Sequence, residues 1–486
     1  MSTNKIPVVS TTRLEKIKEC NASENKPQLK VNAGSLTRWL LLNDAISDWL
    51  HNDAPDELVI KKAENEHFNY FDPLQKRILS DMFDRFRTLY PKKKANIETQ
   101  YLSNTVYKNI NGEEHGIGAY SQYEITDKGK TENIKLKTGD PEISLIDRAI
   151  ITSEKLDNET YYAASIRDMD LIEIEDLENY EDKIDEYFDI YEDFVNHPEK
   201  TKPGHQCVSL CSQQAACGEF PIIEGGPVNT AYRGIKITKK YLTAMDKCDR
   251  RAAWGSEYSI PKDNDEPFER NFGSIFHDYA QQMLVGNKNR HGKDEIERFS
   301  LLIENEEEEI QKKLIEKYQE LLKKLEKYEK LEIKTSEYPL GFTVFTEGVV
   351  VNKNMTFKND GKVVTTFLGK TDLTGDLDGT PIVIELKTGK RHEREELLEA
   401  QLYGLGASKG YGKDKVIILH IYLNDKKDEP VFRNLEESEF NDIERKFQSF
   451  AEKVASWHPS DALSPNYSVG DWCKFCDFQE TCAEFR

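Results

Sequence analysis

Residues 367–390 read FLGKTDLTGDLDGTPIVIELKTGK, and the fold turns on how this stretch is read. Asp378-Gly379 is the kind of dipeptide that closes a two-residue hairpin, so the pattern predicts one strand leading into it and a second leading back. Side chains two apart on a strand share a face, which points Glu385 and Lys387 the same way. Asp372 stands on the partner strand, thirteen residues before Glu385. Two carboxylates on paired strands beside a lysine form a hard-oxygen site for Mg²⁺ or Mn²⁺, with an ammonium placed to orient water or stabilise charge at phosphorus. A solvated hairpin with incidental charges carries the same letters, so the surroundings decide.

The stretch has a twin upstream. Residues 133–140 read NIKLKTGD against VIELKTGK at 383–390, sharing Leu-Lys-Thr-Gly, with Lys135 where the second copy has Glu385. The likeness runs along the whole chain. Cys20 matches Cys248, NAGSLTRWL (32–40) matches NFGSIFHDY (271–279), and TYYAASIRDMD (160–170) stands where KVIILHIYLND (415–425) stands. Offsets between matched positions rise from 228 at Cys20 and Cys248 through 239 at Gly34 and Gly273 and 250 at Lys137 and Lys387 to 265 at Cys217 and Cys482. A monotonic rise is what a duplication with insertions in the second copy gives; chance matches scatter. The Gly-Gly-Pro of EFPIIEGGPVNTAYRG (219–234) punctuates a connector, which predicts units at 1–222 and 237–486 joined by 223–236. Strands and helices mix in both, an α/β class.

Composition narrows the rest. The chain has 486 residues, enough for two full cores, with 37% hydrophobic and 32% charged residues. Its longest aliphatic run, VIILHIYL (416–423), is too short to span a bilayer, and MSTNKIPVVS has no secretion signal, so a soluble cytoplasmic protein is expected, or a nuclear or organellar one in a eukaryote. A net charge of -21 excludes a general nucleic-acid coat protein but not a local basic groove. Basic islands occur at 90–95, 287–293 and 387–394, while 172–194 is strongly acidic. Residues 301–333 carry Ile310, Leu314, Tyr318, Leu321, Leu325 and Tyr328 at helical spacing, which predicts one amphipathic helix over a core.

The eight cysteines divide evenly. Cys473, Cys476 and Cys482 form C-x2-C-x5-C far from Cys248; Cys207, Cys211 and Cys217 form C-x3-C-x5-C far from Cys20. In a reducing compartment such cysteines are thiols or metal ligands rather than disulfides, and the spacing of each set suits Zn²⁺ or an iron–sulfur cluster alike.

His277 in FGSIFHDYAQQML, Gly-x-x-Asp at 369–372, Glu-x-Lys at 385–387 and Gln401 in LLEAQLYGLG, in that order, resemble the RecB-like branch of the PD-(D/E)XK nuclease superfamily. The cysteine frame resembles the iron–sulfur nucleases of that branch, the AddB-like and CRISPR-associated exonucleases among them. The resemblance implies two tandem restriction-endonuclease-like domains, each a central mixed sheet flanked by helices and closed by a four-cysteine cluster. It implies His277, Asp372 and Glu385 as Mg²⁺ or Mn²⁺ ligands, Lys387 as the catalytic lysine, and Gln401 as a residue that touches substrate or braces that lysine. The family's tyrosine, four residues after the glutamine, would fall on Leu405; Tyr403 lies at i+2 instead. It further implies a [4Fe–4S] cluster on Cys248, Cys473, Cys476 and Cys482 and a second on Cys20, Cys207, Cys211 and Cys217. The activity implied is cutting of DNA single strands or ends in repair, recombination or antiviral defence. A non-catalytic module that binds DNA ends or a protein is the alternative.

Within the first unit Arg38 stands for His277, Ser121 or Gln122 for Asp372, and Lys135 for Glu385, while Lys137 keeps the place of Lys387. That predicts a degenerate, inactive site whose Arg38, Lys135 and Lys137 either hold a phosphate or serve as scaffold. The acidic stretch 172–194 would repel DNA and is expected to face away from it or toward a basic protein partner.

Overall fold

The computed structural model describes residues 6–26, 30–31, 34–51, 56–69, 71–90, 96–98, 104–137, 142–209, 211, 213–263, 272–287, 292, 294–351, 357–389, 391–424 and 429–485. Thr138-Gly139 of the first Leu-Lys-Thr-Gly and the basic runs 91–95 and 288–291 lie outside these. Among the described residues no helix is long and apolar enough to cross a membrane.

Among the described residues, three sheets organise the fold. A small one joins β1 (Val8–Ser10), β5 (Glu113–Ala119) and β4 (Asn104–Ile110). The second has the order β3 (Asn96–Glu98), β6 (Tyr123–Asp127), β7 (Lys130–Lys137), β8 (Glu159–Ser165), β9 (Asp170–Glu173). The third runs β10 (Ile222–Glu224), β12 (Leu331–Val351), β13 (Phe357–Leu377), β14 (Thr380–Lys387), β15 (Lys415–Tyr422), β16 (Val431–Glu436), with β11 (Arg233–Ile237) against β13 and β2 (Lys30–Val31) against β11.

The hairpin read from sequence is present: Asp378 and Gly379 take φ of 54° and 82°, the left-handed pair that a type I′ turn needs. Lys128 and Gly129 do the same between β6 and β7, at 51° and 81°. From β3 to β9 successive pairings are antiparallel, antiparallel, parallel and antiparallel, and from β12 to β16 they repeat in that order. A parallel pair needs a long crossover, supplied by helix Leu145–Glu154 in one sheet and helix Glu393–Tyr411 in the other. Both parallel pairs end on one bond, Ile166 N–H to Lys137 O at 2.9 Å and Leu423 N–H to Lys387 O at 2.8 Å.

Burial follows the two-residue period. Ile382, Ile384 and Leu386 of β14, with Ile417, Leu419 and Ile421 of β15, pack under helices Phe272–Leu284 and Glu308–Leu325. Val383, Val416 and Ile418 face the other way, under helices Glu393–Tyr411 and Glu437–Ala455. Covered on both faces, β15 has no polar alternation, as parallel strands in a layered sheet require. Glu385 and Lys387 share the face of Val383 and look toward helix Glu393–Tyr411.

Two expectations change. The single helix expected over 301–333 is two, Glu295–Leu302 and Glu308–Leu325, and Leu331 already begins β12. The acidic run 304–307 separates them, and the second starts with Glu308 and Glu309 in its first turn, where the helix dipole favours negative charge. The stretch 223–236 is not a free connector, because β10 and β11 flank its Gly-Gly-Pro and both join the large sheet. Buried Arg233 fixes β11 by pairing with Glu257 at 3.1 Å and donating to the carbonyls of Val349, Ala455 and Trp457.

The halves meet through helix caps and backbone. Asp72 caps helix Pro73–Leu89 and also accepts the Ala462 N–H at 2.8 Å, while Gln75 donates to Ser460 O at 2.9 Å.

Candidate active site and cysteine pockets

The β13–β14 register sets Leu373 against Ile384, so Asp372 and Glu385 are the next opposed positions. Asp372 Oδ2 accepts the Leu386 N–H at 2.7 Å, and its Oδ1 lies 3.1 Å from His277 Nδ1 on helix Phe272–Leu284. Glu385 Oε1 is 3.3 Å from the Asp372 N–H, and its Oε2 pairs with Lys387 Nζ at 3.0 Å. Thus His277, Asp372, Glu385 and Lys387 are brought together as the sequence predicted. Gln401 is not the brace of the lysine. Lys387 Nζ is held instead by Glu399 Oε2 at 2.9 Å. The helical period explains this: Glu396, Glu399 and Tyr403 share the face toward the sheet, and Gln401 is about half a turn away from it.

Glu399 is the residue sequence reasoning missed. It also accepts from Lys239 at 2.7 Å and lies 3.3 Å from His420 Nε2 of β15. Its burial opposes ionisation, but His420, Lys387 and Lys239 outweigh that and hold its pKa well below the usual carboxylate range, so it stays ionised. Glu385 goes the opposite way: burial, with the carboxylates of Asp372 and Glu399 adding to it, pushes its proton affinity well above the usual value despite Lys387. Burial works against the Lys387 ammonium, yet Glu385, Glu399 and Asp372 together keep it firmly charged. Three carboxylates thus share two lysines. The buried, proton-retaining Glu385 is the group a divalent cation would relieve, and its oxygen with those of Asp372 and a His277 nitrogen is a donor set that fits Mg²⁺ or Mn²⁺.

Tyr403 braces the strand from below, its hydroxyl donating to Lys370 O at 3.1 Å, two residues from Asp372. Gly369 makes room for the ring, since a Cβ there would lie 2.2 Å from Tyr403 Cε1. Gly369→Ala should therefore cost about 1–3 kcal/mol and displace Asp372's strand. Urea unfolding that matches wild type would remove this packing constraint.

The first half repeats the frame with other chemistry. Gln122 takes the place of Asp372, its Oε1 accepting the Leu136 N–H at 2.6 Å. Lys135, at the Glu385 position, reaches Asp147 Oδ2 on helix Leu145–Glu154 at 2.6 Å, with 7% and 5% of the two side chains exposed. Thr11 donates to the same carboxylate at 2.6 Å; its partner at the 228-residue offset is Lys239, which pairs with Glu399. Asp147 and Glu399 are thus equivalent anchors. Arg38 is elsewhere engaged, donating to Tyr258 O at 2.9 Å, Ser259 O at 2.7 Å and Gln75 at 3.1 Å. The expected phosphate pocket of Arg38, Lys135 and Lys137 is therefore corrected: Arg38 fastens the two halves, Lys135 is consumed by Asp147, and Lys137 sits half-buried at the end of β7.

All eight cysteines are free thiols. Cys248, Cys473, Cys476 and Cys482 line one concave space of about 420 Å³ beside Arg250 and Trp254. Cys20, Cys207, Cys211 and Cys217 line another of about 590 Å³ beside Lys16 and Lys202. Burial pushes the Cys207 and Cys217 thiols up to about 11 and raises Cys211 and Cys476 too, so a bound cation would have to replace those protons. Among the described residues, the one triple of ligand atoms within 4.8 Å of one another is Asp48, Glu66 and His67, whose carboxylates Lys62 already approaches at 3.9 and 3.7 Å.

Residues 238–483 match the family described as the PD-(D/E)XK nuclease superfamily. None of the curated proteins matches the chain. Among solved structures, the one described as "Crystal structure of SSO0001" is similar at 15% identity with a TM-score of 0.22, over 52% of this chain and 87% of that one.

Proposed function

The chain belongs to the PD-(D/E)XK nuclease superfamily, and from that premise we propose that its second half, residues 237–486, is a Mg²⁺- or Mn²⁺-dependent deoxyribonuclease acting on single strands or ends. One observation carries the reading: buried Glu385 and half-buried Lys387 share a strand face, opposite Asp372 and in reach of His277. A pure binding module has no use for so costly a buried set. The divalent ion, held by Asp372, Glu385 and His277, would supply charge stabilisation at phosphorus and a more acidic water. The chain does the positioning. Glu385 and Glu399 fix the Lys387 ammonium between them, aimed at the charge that develops during cleavage, and Tyr403 keeps the Asp372 strand in register.

Each cysteine set, in this reading, holds a [4Fe–4S] cluster that ties the ends of its unit together. Supporting it, all four thiols of a set surround one space. The repeated strand order, turn and register support a duplication whose first copy, residues 1–222, lost its ligands and became a scaffold. Its acidic segment 172–194 is then a surface for a protein partner rather than for DNA, and the setting is repair, recombination or defence.

The test is cleavage of end-labelled single- and double-stranded DNA by anaerobically purified protein. Cutting should require added Mg²⁺ or Mn²⁺ and cease on chelation; metal-independent or absent cutting overturns the reading. Two clusters predict about eight irons and eight sulfides per chain, and about four of each removes the first cluster.

A further inference from the structure

A broad concavity of about 1510 Å³ opens from Glu385 and runs between helices Lys239–Met245 and Asp249–Gly255 to Asp477 and Phe478, beside the C-terminal cysteines. Its wall carries Lys239, Lys240, Lys247, Arg251, Lys262 and Lys370 against four carboxylates, Glu385, Glu395, Glu399 and Asp477. Lys239, Lys247, Lys262 and Lys370 pair with Glu399, Glu395, Asp477 and Glu337, so the local cationic excess, in a chain of net charge -21, rests on Lys240 and Arg251. Lys240 is exposed at the start of its helix. Two residues before Asp477 of that wall, the short turn Asp471–Phe475 leaves Phe475 79% exposed, while Tyr467 and Val469, also exposed, line the cysteine space instead. The turn is fixed to the groove: Arg251 donates to Phe475 O at 3.1 Å, and Lys262 pairs with Asp477 at 3.2 Å.

Cations along a channel and an aromatic ring at its end are complementary to a polynucleotide whose phosphates follow the cations and whose base stacks on the ring. Away from its ends a duplex keeps its bases stacked inside and cannot offer one. Building on the nuclease reading, we propose that one unpaired strand enters over Phe475, stacks a base on it, and follows Arg251, Lys247 and Lys240 to Glu385. Phe475 is then a specificity residue for single strands, placed on the cysteine loop and away from the reacting atoms.

Binding is measured on the full chain in chelator, where no cutting occurs, using an oligonucleotide that carries 2-aminopurine and a matched duplex. Phe475→Ala should weaken single-strand binding roughly 5- to 150-fold and abolish the fluorescence quenching of the stacked base. Duplex binding should not change, and Phe475→Trp should restore the single-strand value. Lys240→Gln should weaken both substrates and flatten the salt dependence by about one phosphate contact. An unchanged visible spectrum in Phe475→Ala keeps the cysteine loop out of the explanation. Equal single-strand affinity in Phe475→Ala and wild type overturns the proposal and leaves the ring for a protein partner. Equal loss on single strand and duplex overturns it too. If the strand binds as expected but Mn²⁺ elicits no cutting, the groove stands and the nuclease reading fails.

Discussion

Asp372→Asn should yield a protein that unfolds at the wild-type urea concentration and cuts DNA at least about a thousandfold more slowly. The substitution is nearly isosteric, and the asparagine oxygen can still accept the Leu386 N–H that Asp372 Oδ2 accepts at 2.7 Å, so the β13–β14 pairing survives. What disappears is the negative charge beside His277 and Glu385. Groups that merely support a metal ligand are worth about 10- to 100-fold when removed, and the ligand itself should be worth more. Glu399→Gln gives the calibration. It leaves Lys387 with Glu385 as its carboxylate partner and should fall in that 10- to 100-fold range. An Asp372→Asn protein that cuts within tenfold of wild type would move the metal site elsewhere.

The legible part of this chain was the part written locally. Asp378-Gly379 determines a turn, the two-residue period determines which side chains share a face, and together they place Asp372, Glu385 and Lys387 before any tertiary contact is known. The cysteines were legible as sets for a different reason: their spacing recurs at matched offsets, and the structure gathers each set around its own space. Glu399 was not legible. In LLEAQLYGLG it reads as one more acid in an acidic helix, and its burial depends on His420, 21 residues later, and Lys239, 160 residues earlier. One cue existed, the i,i+4 spacing of Glu399 and Tyr403, which marks the face turned to the sheet and excludes Gln401 from it. Arg38 was misplaced because a repeat alignment compares each half with the other and is blind to contacts between them, which is where Arg38 spends its donors. The break in the helix expected over 301–333 escaped because periodicity continued through residues that the chain uses as a turn.

Lys135 leads to the second large effect, this one on stability. Asp147→Ala should destabilise the first half by about 3–5 kcal/mol, because it strands a buried ammonium that now has its carboxylate at 2.6 Å. It also removes the acceptor of Thr11 and Ser144. Replacing both partners with apolar residues, Lys135→Met with Asp147→Leu, should recover most of the loss, since a buried ion pair is seldom worth more than good packing of similar volume. Neither variant touches Glu385 or its neighbours, so cleavage per folded molecule should stay at the wild-type rate. The readout is the first transition in urea unfolding, followed by a probe in β7 or helix Leu145–Glu154 because two units need not unfold together. A change under about 1 kcal/mol in Asp147→Ala would mean that the pair is solvated and the pocket open. A loss that the double variant recovers would mean that the lysine at the Glu385 position now neutralises the helix carboxylate directly. In the second half Lys387 is shared between the equivalent carboxylate, Glu399, and Glu385, so the buried Glu385 is only partly neutralised.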